Sequence, residues 1–355
     1  ASLIIASALI IIVNLISVLI YPIDSSMVGV LVLVGVLTAA GGAWILSRAA
    51  PAEKRALFAE GKDGPKMQRL ARTLTTVGGA AAVIVCVPLA VFVLDLGYAL
   101  ILAGLCMLPA GITSMIAGKE AAKKDVEIGS FLRSLGTYAT STGTTVTESM
   151  DRLDLSSFPT INPDLKRLRA RMRASIDPTL CWKKFSDETG SRLIMETTVI
   201  FNDAIGLGGA ADTVGLFAAQ YVAMTNTLRA KRLVVSSTFT SLTIVMHGVL
   251  AVMMIVILEV IRNFSKIIDE SMAAASEALD ATTMPLPTFG SPDIGFLEPV
   301  AIGMVIALAF INAYAVAVTD GEHLIKATLY LAALLILSGV ALVFVPPAVA
   351  NMIAV

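Results

Sequence analysis

The chain has 355 residues, 56% of them hydrophobic and 15% charged, and its 26 basic and 27 acidic side chains leave a net charge of −1. A soluble domain is charged at about a quarter of its positions. The composition therefore excludes a disordered tail, a nucleic-acid module and an ordinary cytosolic enzyme. It points to a polytopic membrane protein, because lipid can cover this much apolar surface.

A bilayer core asks for about 20 mostly apolar residues in a helix. Seven stretches qualify, at residues 2–20, 27–46, 73–94, 97–117, 236–261, 300–318 and 327–345. Within them stand only Glu259, close to an end, and His247. Such purity is expected where an unpaired charge is costly. The chain opens at Ala1 directly in a span, without a charged leader region, so the first span does not read as a signal peptide. Further sequence before Ala1 is expected.

The charges between the spans are sorted. Residues 48–72 carry seven Lys/Arg, residues 119–232 carry sixteen, and Lys326 adds one between the last two spans. These alternate loops share one side. The segment 262–299 has two basic residues against six acidic ones. Basic loops stay in the cytoplasm. The N-terminus is therefore expected inside and the C-terminus outside the cell membrane. The expected organisation is two spans (1–47), a short basic cytoplasmic loop (48–72), a span hairpin (73–118), a cytoplasmic helical domain (119–235), a span (236–261), an acidic outer loop (262–299), and two spans with a tail (300–355). The fold class is all-α, with seven transmembrane helices and a cytoplasmic six-helix bundle.

The punctuation of 119–235 predicts the six helices. The first covers 121–141, with Val126, Phe131, Leu132, Leu135 and Tyr138 as its apolar positions, and Gly143 breaks it. Thr144 or Thr145 can cap the second, and Thr145 with Glu148 matches a capping box. The third covers 162–174, with Asn162 as cap and Pro163 in the first turn. It carries Lys166, Arg167, Arg169, Arg171 and Arg173. Asp177-Pro178 starts a fourth helix, Gly190 separates a fifth, and residues 206–209 break before a sixth. No breaker separates the sixth from the span at 236–261, so one continuous helix is expected.

Chemistry is sparse. Gly111 to Glu120 superficially resembles a phosphate-binding loop, but six residues separate Gly111 and Gly118 where four are needed, and Glu120 stands where a Ser or Thr is required. Cys86, Cys106 and Cys181 fit no metal spacing and read as small packing residues. His247 reads as a proton relay or pore residue, or as a neutral imidazole bonded across helices to a Ser or Thr. No cofactor or catalytic constellation is read from the chain. Gly97, Gly104, Gly111 and Gly118 recur every seven residues and give the fourth span a narrow smooth face. That face fits tight packing within the chain or between copies. The basic helix is a solvated face, a lipid contact or a docking surface for an acidic partner.

The segments 131–143 and 146–153, the turn at 201–214 and the helix running through Leu228–Arg232 into a span together resemble the type II secretion F-domain family, the membrane platform proteins of type IV filament machines. The span count, residues 182–191 and the acidic outer loop look closest to its archaeal branch, in archaella and related pili. The resemblance implies a non-enzymatic protein, a homodimer, set between a cytoplasmic hexameric ATPase and pilin-like filament subunits, coupling the two and in the archaellum linked to rotation. It carries Lys54, Arg55, Lys66, Arg69, Lys166, Arg167, Arg169, Arg171 and Arg173 as candidates for docking the ATPase. The alternative is a transporter or channel with His247 in its path.

Overall fold

The structure, a computed structural model, describes residues 25–50, 56, 64–92, 95–278 and 294–353. These form ten α-helices: α1 (Ser25–Ala49), α2 (Lys66–Phe92), α3 (Leu96–Thr142), α4 (Val146–Arg152), α5 (Asn162–Arg173), α6 (Pro178–Thr189), α7 (Arg192–Gly206), α8 (Ala211–Ala278), α9 (Ile294–Asp320) and α10 (Ala327–Ile353). Among the described residues there is no strand, only an isolated antiparallel bridge between Ala56 and Ser191. The protein is all-α. Five helical stretches are long and apolar enough to cross a bilayer: Gly29–Ala49, Leu96–Thr142, Ala211–Ser271, Ile294–Asp320 and Leu324–Met352. They mark a multi-pass membrane protein. The expected span at 2–20 lies outside the described residues, and the one at 73–94 falls on α2, which is not among the five.

Two helices organise the rest. α3 has 47 residues and runs unbroken across the expected boundary at 118/119. α8 has 68 residues and joins the sixth expected domain helix to its span. At 1.5 Å per residue they are about 70 and about 100 Å long. Within the segment expected as an outer loop, 262–299, α8 stays helical to Ala278 and α9 begins at Ile294. No proline or glycine interrupts residues 262–278, and the Ala-rich stretch has high helix propensity.

The end of α3, the start of α8 and helices α4–α7 enclose one apolar core. Phe131, Leu132 and Leu135 from α3 meet Leu165 and Leu168 from α5, Trp182 and Phe185 from α6, and Phe201 from α7. Trp182 stands edge-on to Phe185, with ring centroids 5.8 Å apart, and also meets Phe201 at 6.0 Å. Edge-to-face aromatic pairs at these separations add to their burial. Val126, expected on the apolar face, is 67% exposed, and Ile128 is buried instead. The helix geometry explains this. Ile128 lies three residues before Phe131 and shares its face, whereas a five-residue step to Val126 does not.

The helix ends follow local chemistry in most places. Thr145 Oγ1 accepts from Glu148 N at 3.3 Å. Asp177 Oδ1 accepts from Thr179 N at 2.8 Å. Gly143 and Gly190 each close a helix at φ 65°, a conformation that glycine adopts without strain. Asn162 is not a cap. It lies inside α5, whose N-cap is Ile161. The carboxylate of Glu127, on α3, instead holds the residues just before the helix, accepting from Thr160 N and Ile161 N, at 3.0 Å to each from Oε2.

Three of the four glycines at seven-residue spacing in α3 face α10. A Cβ at Gly97 would stand 2.7 Å from Val343, one at Gly104 2.8 Å from the Ala332 carbonyl oxygen, and one at Gly111 2.5 Å from Leu329 Cα. Gly118 faces Glu322 in the turn before α10. The smooth face is thus used within the chain. Gly111→Ala is expected to force the α3 and α10 backbones apart and to destabilise the protein by about 1–3 kcal/mol. Gly41→Ala, where a Cβ meets nothing within 4 Å, is expected to be neutral or to stabilise by up to about 1 kcal/mol. Thermal unfolding in detergent checks both.

Candidate functional site: the helical domain and its junction with the spans

The junction is built around one buried carboxylate. Asp125 on α3 is fully buried. Its Oδ2 takes a 2.7 Å ion pair from Arg229 Nη1 on α8. Its Oδ1 accepts the hydroxyl of Ser191, the N-cap of α7. Its backbone oxygen accepts from Asn226 Nδ2 at 3.1 Å. Three helices therefore meet on one residue. Ser191 also accepts from Ile194 N at 3.3 Å, so one hydroxyl caps α7 and binds it to α3.

The bundle beyond carries a second polar contact. Arg232, one turn along from Arg229, donates to the Val318 and Thr319 carbonyl oxygens at 2.9 Å each. These are end carbonyls of α9, which a cation satisfies well. Asp320 binds Lys326 and accepts from Ser236 Oγ at 3.2 Å. α8 is thereby tied to the turn between α9 and α10.

The basic helix α5 is largely neutralised within the domain. Arg167 and Arg171 both pair with Glu188 on α6, and Arg167 also pairs with Asp164. Arg173 pairs with Asp151 on α4 at 2.8 Å, and Arg169 donates to the Leu153 carbonyl oxygen. Of the five, Lys166 alone has neither an ion pair nor a hydrogen bond from its side chain among the described residues, and it is exposed. Burial alone would push the Glu188 carboxyl up, but hydrogen bonds from Arg171 and Arg167, with their charges, outweigh it and hold the carboxyl below its ordinary value. Burial pushes the Cys181 thiol up, so it packs as an inert apolar group.

The short basic segment is brought to the same domain. Lys66 and Arg69 are exposed at the start of α2. Between them Gln68 Nε2 donates to the Gly190 carbonyl oxygen at 2.9 Å. Ala56 bridges Ser191. The two basic elements thus converge on the turn between α6 and α7, two residues from Glu188. Lys54 and Arg55 lie outside the described residues.

His247 is 2% exposed. Its Nε2 meets Ser338 Oγ on α10 at 2.9 Å, and its Nδ1 meets Asn312 Nδ2 on α9 at 3.3 Å. Asn312 donates, so Nδ1 accepts, Nε2–H donates to Ser338, and Ser338 donates to the Leu334 carbonyl oxygen at 2.8 Å. One tautomer satisfies both ring nitrogens and crosslinks three helices, while Asn312 Oδ1 is buried without a partner among the described residues.

The Asp125 network has no motif to announce it. The only signal is position. Asp125 lies three residues before Ile128, on the face that the apolar positions define. No family model, no curated protein and no solved structure matches the chain.

Asp125→Ala leaves Arg229 buried without its partner and is expected to cost about 3–5 kcal/mol of stability, whereas Asp125→Leu with Arg229→Met is expected to recover most of that loss. Denaturation of the three proteins in one detergent compares them. A second expectation concerns pH. The lowered Glu188 value means that its contribution is fully present above the unfolded value near 4.5 and is lost as pH falls through the lower folded value. Melting temperatures measured between about pH 7 and about pH 3 should fall more steeply in the acid range for the parent than for Glu188→Gln.

Proposed function

We propose that the chain is a non-enzymatic membrane platform protein of a type IV filament machine, of the archaeal kind. In this reading it couples a cytoplasmic hexameric ATPase to the insertion of pilin-like subunits, and to rotation where the filament is an archaellum. The carrying observation is the continuity of α3 and α8. Both helices of the domain's frame pass without a break into apolar stretches, and Asp125–Arg229 locks them together at the junction. A push on the domain therefore reaches the bilayer through rigid helices rather than through a loop.

The finer topology belongs to the same reading. Residues 2–20 and α2 complete seven spans. The end of α3, helices α4–α7 and the start of α8 make a six-helix cytoplasmic domain. The basic segment 48–72 and the domain share the cytoplasmic side, and residues 262–299 face outward. The contact between Gln68 and Gly190 supports the shared side. The ATPase is taken to dock on Lys66, Arg69 and Lys166, the candidates that are exposed and outside any ion pair among the described residues. Arg167, Arg169, Arg171 and Arg173 hold α5 to its neighbours and shape that surface. The transporter reading has less support, since both His247 nitrogens already have partners within the protein.

Reversing the four arginines would break the domain's own ion pairs, so it cannot separate docking from folding. The combined variant Lys66→Glu, Arg69→Glu, Lys166→Glu avoids this. It is expected to insert and melt like the parent and to lose affinity for the ATPase by about tenfold or more at moderate salt. Undiminished co-purification of the ATPase with this variant would sink the docking assignment.

A further inference from the structure

At the end of the bundle remote from the helical domain, α3, α8, α9 and α10 enclose a cavity of about 390 Å³. Small-molecule sites span about 300–1,000 Å³. One end of this cavity is charged, lined by Asp95, Glu259, Arg262 and Glu298. Nearer the middle of the bundle the lining is apolar, with Ile255 and Leu258 on α8, Ile302 on α9 and Leu342 on α10. The same four side chains wall a smaller hollow that continues to Met254 and Val305 without a polar side chain. From Arg262 to Ile255 the change takes about 10 Å along α8.

The charged end has a fixed geometry. Arg262 donates to Glu259 Oε2 at 2.9 Å and to Glu298 Oε2 at 2.7 Å. Glu259 is buried, and the pairing compensates its charge there. Asp95, the N-cap of α3, is exposed and makes no side-chain cap bond. Three carboxylates against one guanidinium leave negative charge in excess. A cation is favoured here, and an anion is repelled because Arg262 is already held by the two glutamates.

The lining also selects the kind of cation. Arg262 stands between Glu259 and Glu298, and no cluster of metal-ligating side chains occurs among the described residues. Tyr98 is the one aromatic ring among the lining residues, whereas a quaternary ammonium is held by an aromatic cage. A primary ammonium brings three N–H donors for the carboxylates of Glu298 and Asp95. An ammonium alone would leave the apolar depth empty, so the occupant carries a hydrocarbon chain as well. The surroundings supply one. The apolar stretches Leu96–Thr142 and Ile294–Asp320 begin at the cavity, and Leu324–Met352 ends there. That is the edge of a bilayer, where a lipid presents its head and its chain at these same depths.

We infer that the cavity binds a membrane lipid with a primary-ammonium head, the head at Glu298 and Asp95 and one chain along Ile255, Leu258, Ile302 and Leu342. The inference does not rest on the filament reading, since it needs only a multi-pass membrane protein. The test places the full chain in nanodiscs of phosphatidylcholine with a minor share of phosphatidylethanolamine and counts retained lipids by native mass spectrometry. The two lipids share phosphate and chains and differ in the ammonium alone. The parent is expected to retain one phosphatidylethanolamine per chain, enriched several-fold over its share of the bilayer. The double variant Asp95→Asn, Glu298→Gln removes the excess charge and leaves Arg262 paired with Glu259. Its melting temperature should match the parent while the enrichment disappears. Ile302→Trp fills the apolar depth, keeps the charges and is expected to lose the lipid equally. Decylammonium chloride is expected to displace the lipid from the parent, and sodium decyl sulfate is not. Equal retention of phosphatidylcholine, a preference for phosphatidylglycerol, enrichment that survives the double variant or Ile302→Trp, or binding of decylammonium by a parent that retains no lipid would each overturn the inference.

Discussion

The ion pair between Asp125 and Arg229 joins the two helices from which the other elements hang. Both charges lie out of water, with side-chain exposures of 1% and 7%. Their attraction is far stronger there than at a surface, and so is the desolvation each has undergone. Ser191 offsets part of that desolvation by donating to the other carboxylate oxygen of Asp125, while Asn226 ties down its backbone carbonyl. Apolar packing between two long helices tolerates sliding. A charge pair with a fixed donor geometry does not. The pair therefore sets the height at which α3 and α8 are matched, and the domain inherits its position from that match.

A seven-residue repeat carries the same match through the rest of the molecule. Gly97, Gly104 and Gly111 of α3 recur with this period along α10, and the buried residues of α8 recur with it from Gly215 to Leu250. A straight α-helix drifts about 20° per heptad from such a pattern, so a sustained match requires a slow left-handed supercoil. Domain and membrane bundle thus share one packing geometry. α8 contains no proline in its 68 residues, so no proline kink interrupts it between the domain core and its apolar stretch.

Local signals in the sequence were read well because their physics is local. Gly143 and Gly190 end helices by adopting positive φ, and Thr145 and Asp177 cap helices through atoms two or three residues away. The misreadings share the opposite character. Asn162 fits a cap pattern, yet the helix starts at its predecessor, where the Ile161 carbonyl accepts from Asp164 N and Leu165 N, and Glu127, more than thirty residues earlier in the chain, holds Thr160 N and Ile161 N in place. The backbone shows nothing at the expected boundary at 118/119. α3 crosses it because nothing in Gly118–Ala121 stops a helix whose neighbours pack on both sides. The junction network was hidden for the same reason. Asp125 and Arg229 are 104 residues apart, and neither has a motif around it.

The arginines of α5 show how composition and geometry divide one feature between two tasks. Read along the chain, Lys166 to Arg173 is a dense block of positive charge. In three dimensions Glu188, Asp164 and Asp151 stand against three of its members. The long-range field of the helix is correspondingly reduced, while the planar guanidinium forks fix α5 against α4 and α6. The remaining field comes from lysines and an arginine in water, Lys166, Lys66 and Arg69. Their influence reaches about one Debye length, near 8 Å at physiological ionic strength. Attraction of a partner to this face is thus the salt-sensitive property. The shape of the face is not, because Glu188, with 16% of its side chain exposed, is screened much less than a charge in solvent. A single helix provides both, since only one of its cations is left outside the domain's own bonding.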